Sequence, residues 1–177
     1  WLINSNRSPH LQDPNKLYEE FKGVITGNTL DKRCLSREDY INLGIKQSIY
    51  SIEERQGVYD LFEKYVSFLK DSGRYDINLL SYDYLTAVLA RYDFVVVDEV
   101  QDFTPVQLAL ILKTLKFPRQ FILCGDSNQI VHPNFFSWAK VKSFFHHQSA
   151  DHPIDIIRIL NKNYRNAPSV TRIANKI

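Results

Sequence analysis

The sequence predicts an α/β protein in which a helical N-terminal lobe precedes a parallel sheet. In residues 1–90, apolar side chains recur at the three- and four-residue spacing of amphipathic helices. From residue 91 onward, short runs of consecutive apolar residues alternate with helical segments. Strand–helix–strand alternation of this kind is typical of parallel sheets. We therefore expect a helical lobe at 1–90 and a sheet-containing domain at 91–177.

Four helices are predicted in the lobe. Periodicity and end signals place them at 14–27, 36–43, 53–70 and 82–90. The third is the clearest, because its apolar residues fall at three- and four-residue steps and Gly73 follows as a stop signal. For the second helix, Ser36 with Asp39 three residues later forms a capping signal.

The sheet domain is predicted to contain three strands built from consecutive apolar residues. The strands are expected at 94–97, 121–124 and 154–160, with helices at 104–115 and 168–177. Because the first two strands are continuous apolar runs, we expect them to be buried on both faces. Cys124, at the end of the second strand, is then expected to pack in the core.

The composition is that of a soluble globular protein with an uneven charge distribution. Apolar residues make up 44% of the chain, no stretch approaches the length of a membrane span, and two cysteines are too few for a disulfide framework. We expect an intracellular, cytoplasmic protein with no membrane partner. From Trp138 onward, seven Lys and Arg oppose two Asp, which suits a polyanion partner. Because the chain begins at Trp1 and contains no Met, we expect it to be an internal piece of a longer protein.

Polar clusters follow each predicted strand at its carboxyl end, where open α/β sheets bind ligands. They read DEVQD at 98–102, GDSNQ at 125–129 and NYR at 163–165. Each cluster alone is an ordinary loop or turn, but three at successive strand ends indicate one shared crevice. Adjacent carboxylates at a strand end point to different sides, so one can hold hydrated Mg²⁺ while its neighbour reaches a water molecule. The Gln129 amide and the Arg165 guanidinium suit contacts with phosphate.

Three longer runs carry a resemblance to a known family. VVVDEVQDFTPVQLALIL resembles motif II of the superfamily-one UvrD/Rep-type ATP-dependent DNA helicases, FILCGDSNQIVHP resembles motif III, and ILNKNYRNAPSVTRIAN resembles motif IV. The upstream stretch EERQGVYDLFEKYVSFLKDSGRYDINLLSYDYL is similar to the helical segment that precedes motif II in this family. The order and the spacing of the motifs agree, and the resemblance covers roughly residues 36–177.

The resemblance implies a partial RecA-like, P-loop NTPase sheet at 91–177, with residues 1–90 as a 1B-like helical insertion that returns to the core. It implies ATP and Mg²⁺ as cofactors and single-stranded or partly duplex DNA as the partner, with DNA repair as the associated process. Protein partners are left open. In this family, ATP binding closes two RecA-like domains and hydrolysis reopens them, which steps the protein along single-stranded DNA.

The resemblance also implies roles for the acidic residues and their neighbours. Asp98 would help to hold Mg²⁺, and Glu99 would activate the hydrolytic water. Gln101 and Asp102 would link the nucleotide site to neighbouring motifs, and Asp126 would belong to the same nucleotide site.

Further residues are implied at the terminal phosphate and at the DNA. Gln129 and Arg165 would contact the γ-phosphate. The grip on single-stranded DNA needs aromatic platforms, for which His132, Phe135 and Trp138 are the candidates. The family usually has a tyrosine where this chain has His132, and an apparent insertion precedes Trp138. Core packing is the alternative for this aromatic cluster.

A phosphate-binding loop is missing from the sequence. No GxxxxGK[ST] run occurs, and neither do the later motifs of the family. We therefore expect ATPase and helicase activity in the parent protein, while this chain alone binds ATP poorly and unwinds nothing. Two other interpretations stay open. One is a helicase-like DNA-binding or scaffold module without ATPase activity; the other is the helicase part of a helicase–nuclease, or an enzyme acting on RNA.

Overall fold

The computed structural model describes residues 9–126 and, beyond them, Ala167, Ser169 and Arg172. The chain divides into two compact units, Trp1–Lys142 and Ser143–Ile177. All of residues 9–126 belong to the first unit. In the second unit, the predicted strand at 154–160 lies outside the described residues, and the predicted last helix is described as helical at Ser169 and Arg172.

The first part of the chain is helical. In order it contains a 3₁₀ turn (Pro9–Gln12), α1 (Pro14–Glu20), a π-helical turn (Phe21–Thr26), α2 (Arg37–Ile41), a second 3₁₀ turn (Ile45–Gln47), α3 (Ile52–Ser72) and α4 (Ile77–Tyr84). The predicted helices at 14–27, 36–43 and 53–70 are confirmed, with ends that differ by a few residues.

Local capping explains where these helices begin and end. Ser36 Oγ accepts a hydrogen bond from Asp39 N (3.2 Å) at the start of α2, as the sequence predicts. At the start of α3, Ser51 and Glu54 form a reciprocal capping box. Gly73 ends α3 in the left-handed conformation (φ 64°), which glycine adopts without the steric cost of a Cβ atom.

The predicted helix at 82–90 is wrong, because α4 spans Ile77–Tyr84 and residues 85–87 form a turn. The Asp76 carboxylate caps the helix by accepting hydrogen bonds from Asn78 N (2.9 Å) and Leu79 N (3.0 Å). The cap starts the helix earlier than the apolar pattern alone indicates.

Aromatic and aliphatic side chains from the helices form one core. Its aromatic members include Phe21, Tyr40, Tyr50, Tyr59 and Phe62. Two charged residues, Glu20 and Arg55, are also fully buried in this lobe, and each is hydrogen bonded to other groups of the lobe. Glu20 accepts a hydrogen bond from the Tyr40 hydroxyl (2.8 Å), and Arg55 donates to the carbonyl oxygens of Ile41 (2.9 Å) and Gly44 (3.1 Å).

The second part contains two parallel strands joined by a crossover. Its elements are β1 (Val95–Val97), a 3₁₀ turn (Val100–Asp102), α5 (Pro105–Lys113) and β2 (Phe121–Leu123). The strands pair in parallel, with Val96 opposite Ile122. The strand–helix–strand order and the parallel direction predicted from the sequence are therefore confirmed for this α/β unit.

The prediction that both strands are buried on both faces is wrong. Val97 is buried, whereas Val96 is 61% exposed and Ile122 is 51% exposed. Cys124 is also exposed, so its predicted core position is wrong as well. Because side chains alternate between the faces of a sheet, Val96, Ile122 and Cys124 lie on the same face, which no described element covers.

Candidate functional site

The pairing of β1 and β2 brings together the polar loops that follow these strands. Cys124 N donates to Val97 O (2.8 Å) and Val100 N donates to Cys124 O (2.9 Å), so the hydrogen bonds continue past the strand ends. The acidic loop, residues 98–102, therefore lies against the glycine loop, residues 124–126. This edge is the carboxyl end of the parallel sheet, where ligands of open α/β sheets bind.

Glu99 occupies a strained backbone position in the acidic loop. Its φ and ψ angles are 50° and 44°, in the left-handed region, which costs a residue with a side chain about 1–2 kcal/mol. Asp98 Oδ1 accepts a hydrogen bond from Glu99 N (2.9 Å), and Asp102 N donates to Glu99 O (2.9 Å). The side chains of all three acidic residues are exposed. Strain that surrounding bonds hold in place clusters at functional sites in proteins.

The Gln101 side chain joins the two loops. It is only 7% exposed. Its Nε2 donates to Glu99 Oε2 (2.6 Å), and its Oε1 accepts from Asp126 N (3.1 Å). Glutamine suits this place because an amide donates and accepts at once, whereas a carboxylate only accepts. The carboxylate of Glu99 is thereby linked through one amide to the backbone of the glycine loop.

Gly125 allows the two loops to approach this closely. A Cβ atom at this position would lie 2.6 Å from Gln101 Oε1 and 2.7 Å from Val100 Cγ1. Both distances are shorter than real Cβ contacts, so a side chain here would push Gln101 away from its partners. The glycine of the GDSNQ run is therefore needed for the contact between the loops.

The segment after the acidic loop is fixed by its own cap. Thr104 and Gln107 form a reciprocal capping box at the start of α5, and Pro105 occupies the first turn. The predicted Thr-Pro helix start is confirmed. The Thr104 hydroxyl also donates to Asn78 Oδ1 (2.7 Å), which connects this cap to α4.

Half of the predicted site residues lie in the described part of the chain. The two adjoining loops contain Asp98, Glu99, Gln101, Asp102 and Asp126. The others lie outside the described residues: Gln129, His132, Phe135, Trp138 and Arg165. Within residues 9–126, no three His, Cys, Asp or Glu side chains group as a metal cluster would require. Mg²⁺ needs less, because it usually binds through one or two carboxylates plus water and phosphate oxygens, and Asp98 fits that requirement.

Asn78 is the structurally important residue that the sequence analysis missed. It is fully buried and bonded to both the lobe and α5. Its signal in the sequence is a single amide inside the otherwise apolar run of residues 77–80. The run alone does not show that Asn78 is buried, because Ile77 beside it is 51% exposed; once buried, an amide needs partners.

Comparison with known proteins gives the family. A model of the UvrD/REP helicase N-terminal domain matches residues 6–149, which contain both loops and the helical lobe. The chain belongs to the UvrD/REP helicase family. This membership confirms the family prediction, while the run that resembles motif IV, around residues 163–165, lies beyond the match.

One curated relative of this helicase-family chain is a much longer protein. It is TPR and ankyrin repeat-containing protein 1 of Homo sapiens, 26% identical over 185 aligned residues, which cover 93% of this chain and 6% of that protein. The chain thus spans a small fraction of the length of this relative. No solved structure matches the chain significantly. Among the helices in the described part, none is both long and apolar enough to span a membrane.

Proposed function

We propose that this chain is part of an ATP-dependent DNA helicase or translocase, which couples ATP hydrolysis to movement on single-stranded DNA. The observation that supports this best is the arrangement of the acidic loop. Two exposed neighbouring carboxylates, Asp98 and Glu99, follow a parallel strand, and Gln101 ties one of them to the next loop of the sheet. Nucleotide hydrolysis needs this division between a metal-holding group and a base.

The two carboxylates take different roles in this proposal. Asp98 is exposed at the end of β1 and would hold Mg²⁺, which would neutralise phosphate charge there. Glu99 would accept a proton from the attacking water at Oε1, since Gln101 Nε2 binds its Oε2. The amide keeps the carboxylate in one orientation, and a fixed orientation is what makes a general base efficient. Asp102 and Asp126 would line the same nucleotide site.

The roles proposed for other parts of the nucleotide and DNA sites rest on the resemblance of the sequence motifs to those of the family. Gln129 and Arg165 would contact the γ-phosphate, and His132, Phe135 and Trp138 would stack on bases. Because the chain contains no GxxxxGK[ST] run, we propose that the phosphate cradle belongs to another part of the parent protein. The chain alone would then hydrolyse no ATP. We also propose an intracellular location, where its DNA substrate is found.

A second candidate function is a helicase-like DNA-binding or scaffold module without ATPase activity. It is favoured by the relative whose name describes TPR and ankyrin repeats, because such repeats form stacked binding surfaces. The retention of Asp98, Glu99 and Gln101 as a bonded unit favours the enzyme. A helicase–nuclease or an RNA-directed enzyme would use the same acidic loop.

ATP hydrolysis by the full-length protein tests the proposal, with and without single-stranded DNA. In Glu99→Gln the side chain keeps its size but cannot take the proton, so we expect turnover to fall at least ~100-fold, the usual scale for losing a general base. Glu63→Gln is the matched control, because Glu63 lies on α3 and pairs with Arg37 at the surface. An unchanged rate in Glu99→Gln refutes the assigned base. DNA binding without any hydrolysis by the wild type supports the scaffold module instead.

A further inference from the structure

Asn78, in α4 of the helical lobe, lies at the centre of a buried polar cluster. Its Nδ2 donates to Lys22 O (2.8 Å) and to Thr26 Oγ1 (3.0 Å). Its Oδ1 accepts from Thr104 Oγ1 (2.7 Å) and from Gln107 Nε2 (2.9 Å). The side chain is 0% exposed, and both donor positions and both acceptor positions of its amide are used.

The partners of Asn78 belong to two separate segments. Lys22 and Thr26 are in the π-helical turn of the lobe, while Thr104 and Gln107 form the cap of α5, which directly follows the acidic loop. An aspartate would accept from the cap but has no hydrogens for the carbonyl of Lys22. The turn offers two acceptors, Lys22 O and Thr26 Oγ1, whereas the cap offers two donors, the Thr104 hydroxyl and Gln107 Nε2. An amide can bond to both, because its nitrogen donates and its oxygen accepts.

Gly27 brings the same two segments into direct backbone contact. Val106 N donates to Gly27 O (3.1 Å). A Cβ at Gly27 would clash with Lys22 O of its own turn and would lie 2.8 Å from Thr104 Cγ2 at the start of α5. The lobe and the start of α5 thus meet without space between them, and the backbone bond between Val106 and Gly27 uses no atom of Asn78.

A short, bonded stretch of chain separates this contact from Glu99. Phe103 N donates to Val100 O (3.2 Å), and Asp102 N donates to Glu99 O (2.9 Å). The 3₁₀ turn at 100–102 therefore leaves little slack between the α5 cap and the strained backbone of Glu99. A displacement of the cap changes the φ and ψ angles that hold the Glu99 side chain against Gln101.

We propose that Asn78 is a positioning residue, which fixes the acidic loop to the helical lobe and thereby sets the placement of the Glu99 carboxylate. This role rests on the proposed ATPase function. This role differs from a general contribution to stability. It requires that the acidic loop is loosened by loss of the Asn78 bonds and not by loss of any other buried bond in the lobe.

Hydrogen–deuterium exchange and steady-state kinetics of the full-length protein test this role. Thr104→Val removes one buried bond to Asn78, and we expect it to speed amide exchange in residues 98–106 by about tenfold, the scale of one buried hydrogen bond. Asn78→Ala removes all four bonds of the amide, and we expect it to speed this exchange further. We expect kcat for ATP to fall about tenfold and KM for MgATP to stay within about twofold, because the phosphate cradle is not touched. Thr104→Ser keeps the hydroxyl and restores both values.

Tyr40→Phe is the control for general stability. It removes one buried hydrogen bond, to Glu20 (2.8 Å), in the same lobe and away from the acidic loop. We expect a lower urea midpoint with unchanged exchange in 98–106 and unchanged kcat. The proposal would be overturned if residues 98–106 exchanged equally fast in Tyr40→Phe and Thr104→Val. It would also be overturned if Thr104→Val left this exchange unchanged. Thr104→Val is the milder variant and serves for the test if Asn78→Ala does not fold. If the wild type hydrolyses no ATP, the proposed function fails, and exchange alone then decides the role of Asn78.

Discussion

The replacement Gly125→Ala places a methyl group in the contact between the acidic loop and the glycine loop. The new Cβ would lie 2.6 Å from Gln101 Oε1 and 2.7 Å from Val100 Cγ1. Val100 is fully buried, so the Gln101 amide is the group that moves more easily. Its displacement breaks the bond to Glu99 Oε2 (2.6 Å) and the bond from Asp126 N (3.1 Å).

Two costs add up to the expected loss of stability. Overpacking of a buried contact costs about 1–3 kcal/mol, and the two lost hydrogen bonds cost about 0.5–1.5 kcal/mol each. Because moving the amide relieves part of the clash, we expect a total of about 2–4 kcal/mol in the free energy of unfolding. For a chain of this length, that corresponds to a decrease of roughly 5–15 °C in Tm. Urea titration and thermal melting of the 177-residue chain, followed by circular dichroism, measure both quantities.

Two further variants separate the clash from a general effect of alanine. In Gly57→Ala the new Cβ meets only the end of the Leu11 side chain (2.9 Å to Cδ1), and alanine is better than glycine inside a helix by about 1 kcal/mol. That variant is therefore expected to be neutral or stabilising. In a Gln101→Ala background, Gly125→Ala has one clash fewer and is expected to cost less. If Gly125→Ala costs as much stability in the Gln101→Ala background as in the wild type, the clash with the Gln101 side chain is refuted. The reason is that the effects of substitutions at residues in contact are not additive.

Two predictions concern the helical lobe. Burial raises the pKa of Tyr40, Tyr50 and Tyr65 above the value of about 10 in an unfolded chain. Their contribution to stability is complete below pH 10 and is lost as the pH rises further, so we expect the urea midpoint to fall from pH 10 upward; a flat midpoint through about pH 11 would contradict this. Arg55→Leu strands buried carbonyl oxygens and is expected to cost at least about 3 kcal/mol in urea unfolding, whereas Arg37→Leu, at partly exposed ion pairs with Asp60 and Glu63, is expected to cost about 1 kcal/mol or less.

The helices could be predicted where a local signal coincides with the apolar pattern. α3 has its capping box at Ser51 and its left-handed glycine at Gly73, and its predicted span agrees with the structure. α4 was displaced in the prediction because the apolar pattern after Tyr82 resembles a helix, whereas the Asp76 cap fixes the actual start. Periodicity locates an amphipathic face, but a cap decides which residues begin the helix.

The positions of the first two strands are confirmed, but their predicted burial is wrong. A continuous apolar run such as Val95–Val97 indicates two apolar faces and says nothing about which element covers each. In the described part of the chain, β1 pairs with β2 alone, and the face with Val96 and Ile122 is exposed. Which element packs on a sheet face depends on the tertiary structure, and a short stretch of sequence does not specify it.

The position of the candidate site could be predicted from the sequence, whereas the hydrogen bonds that shape it could not. Asp98 and Glu99 follow a strand, and this alone identifies them as candidates for a ligand site. The bond between Glu99 and Gln101 is local to the acidic loop, whereas the bond of Gln101 with Asp126 N joins segments 25 residues apart. No spacing rule within either loop encodes that pairing.

Two amides, Gln101 and Asn78, join the acidic loop and the α5 cap after it to neighbouring segments. Gln101 ties Glu99 to the glycine loop, and Asn78 ties the α5 cap to the lobe. Both connect a donor on one side with an acceptor on the other, which a carboxylate cannot do at neutral pH. An amide also adds no charge, so it orders the loop without opposing the carboxylates of Asp98 and Glu99 or competing for a cation. Beside the local bond from Glu99 N to Asp98 Oδ1 (2.9 Å), these two neutral amides supply side-chain bonds that join the acidic loop and the α5 cap to neighbouring segments.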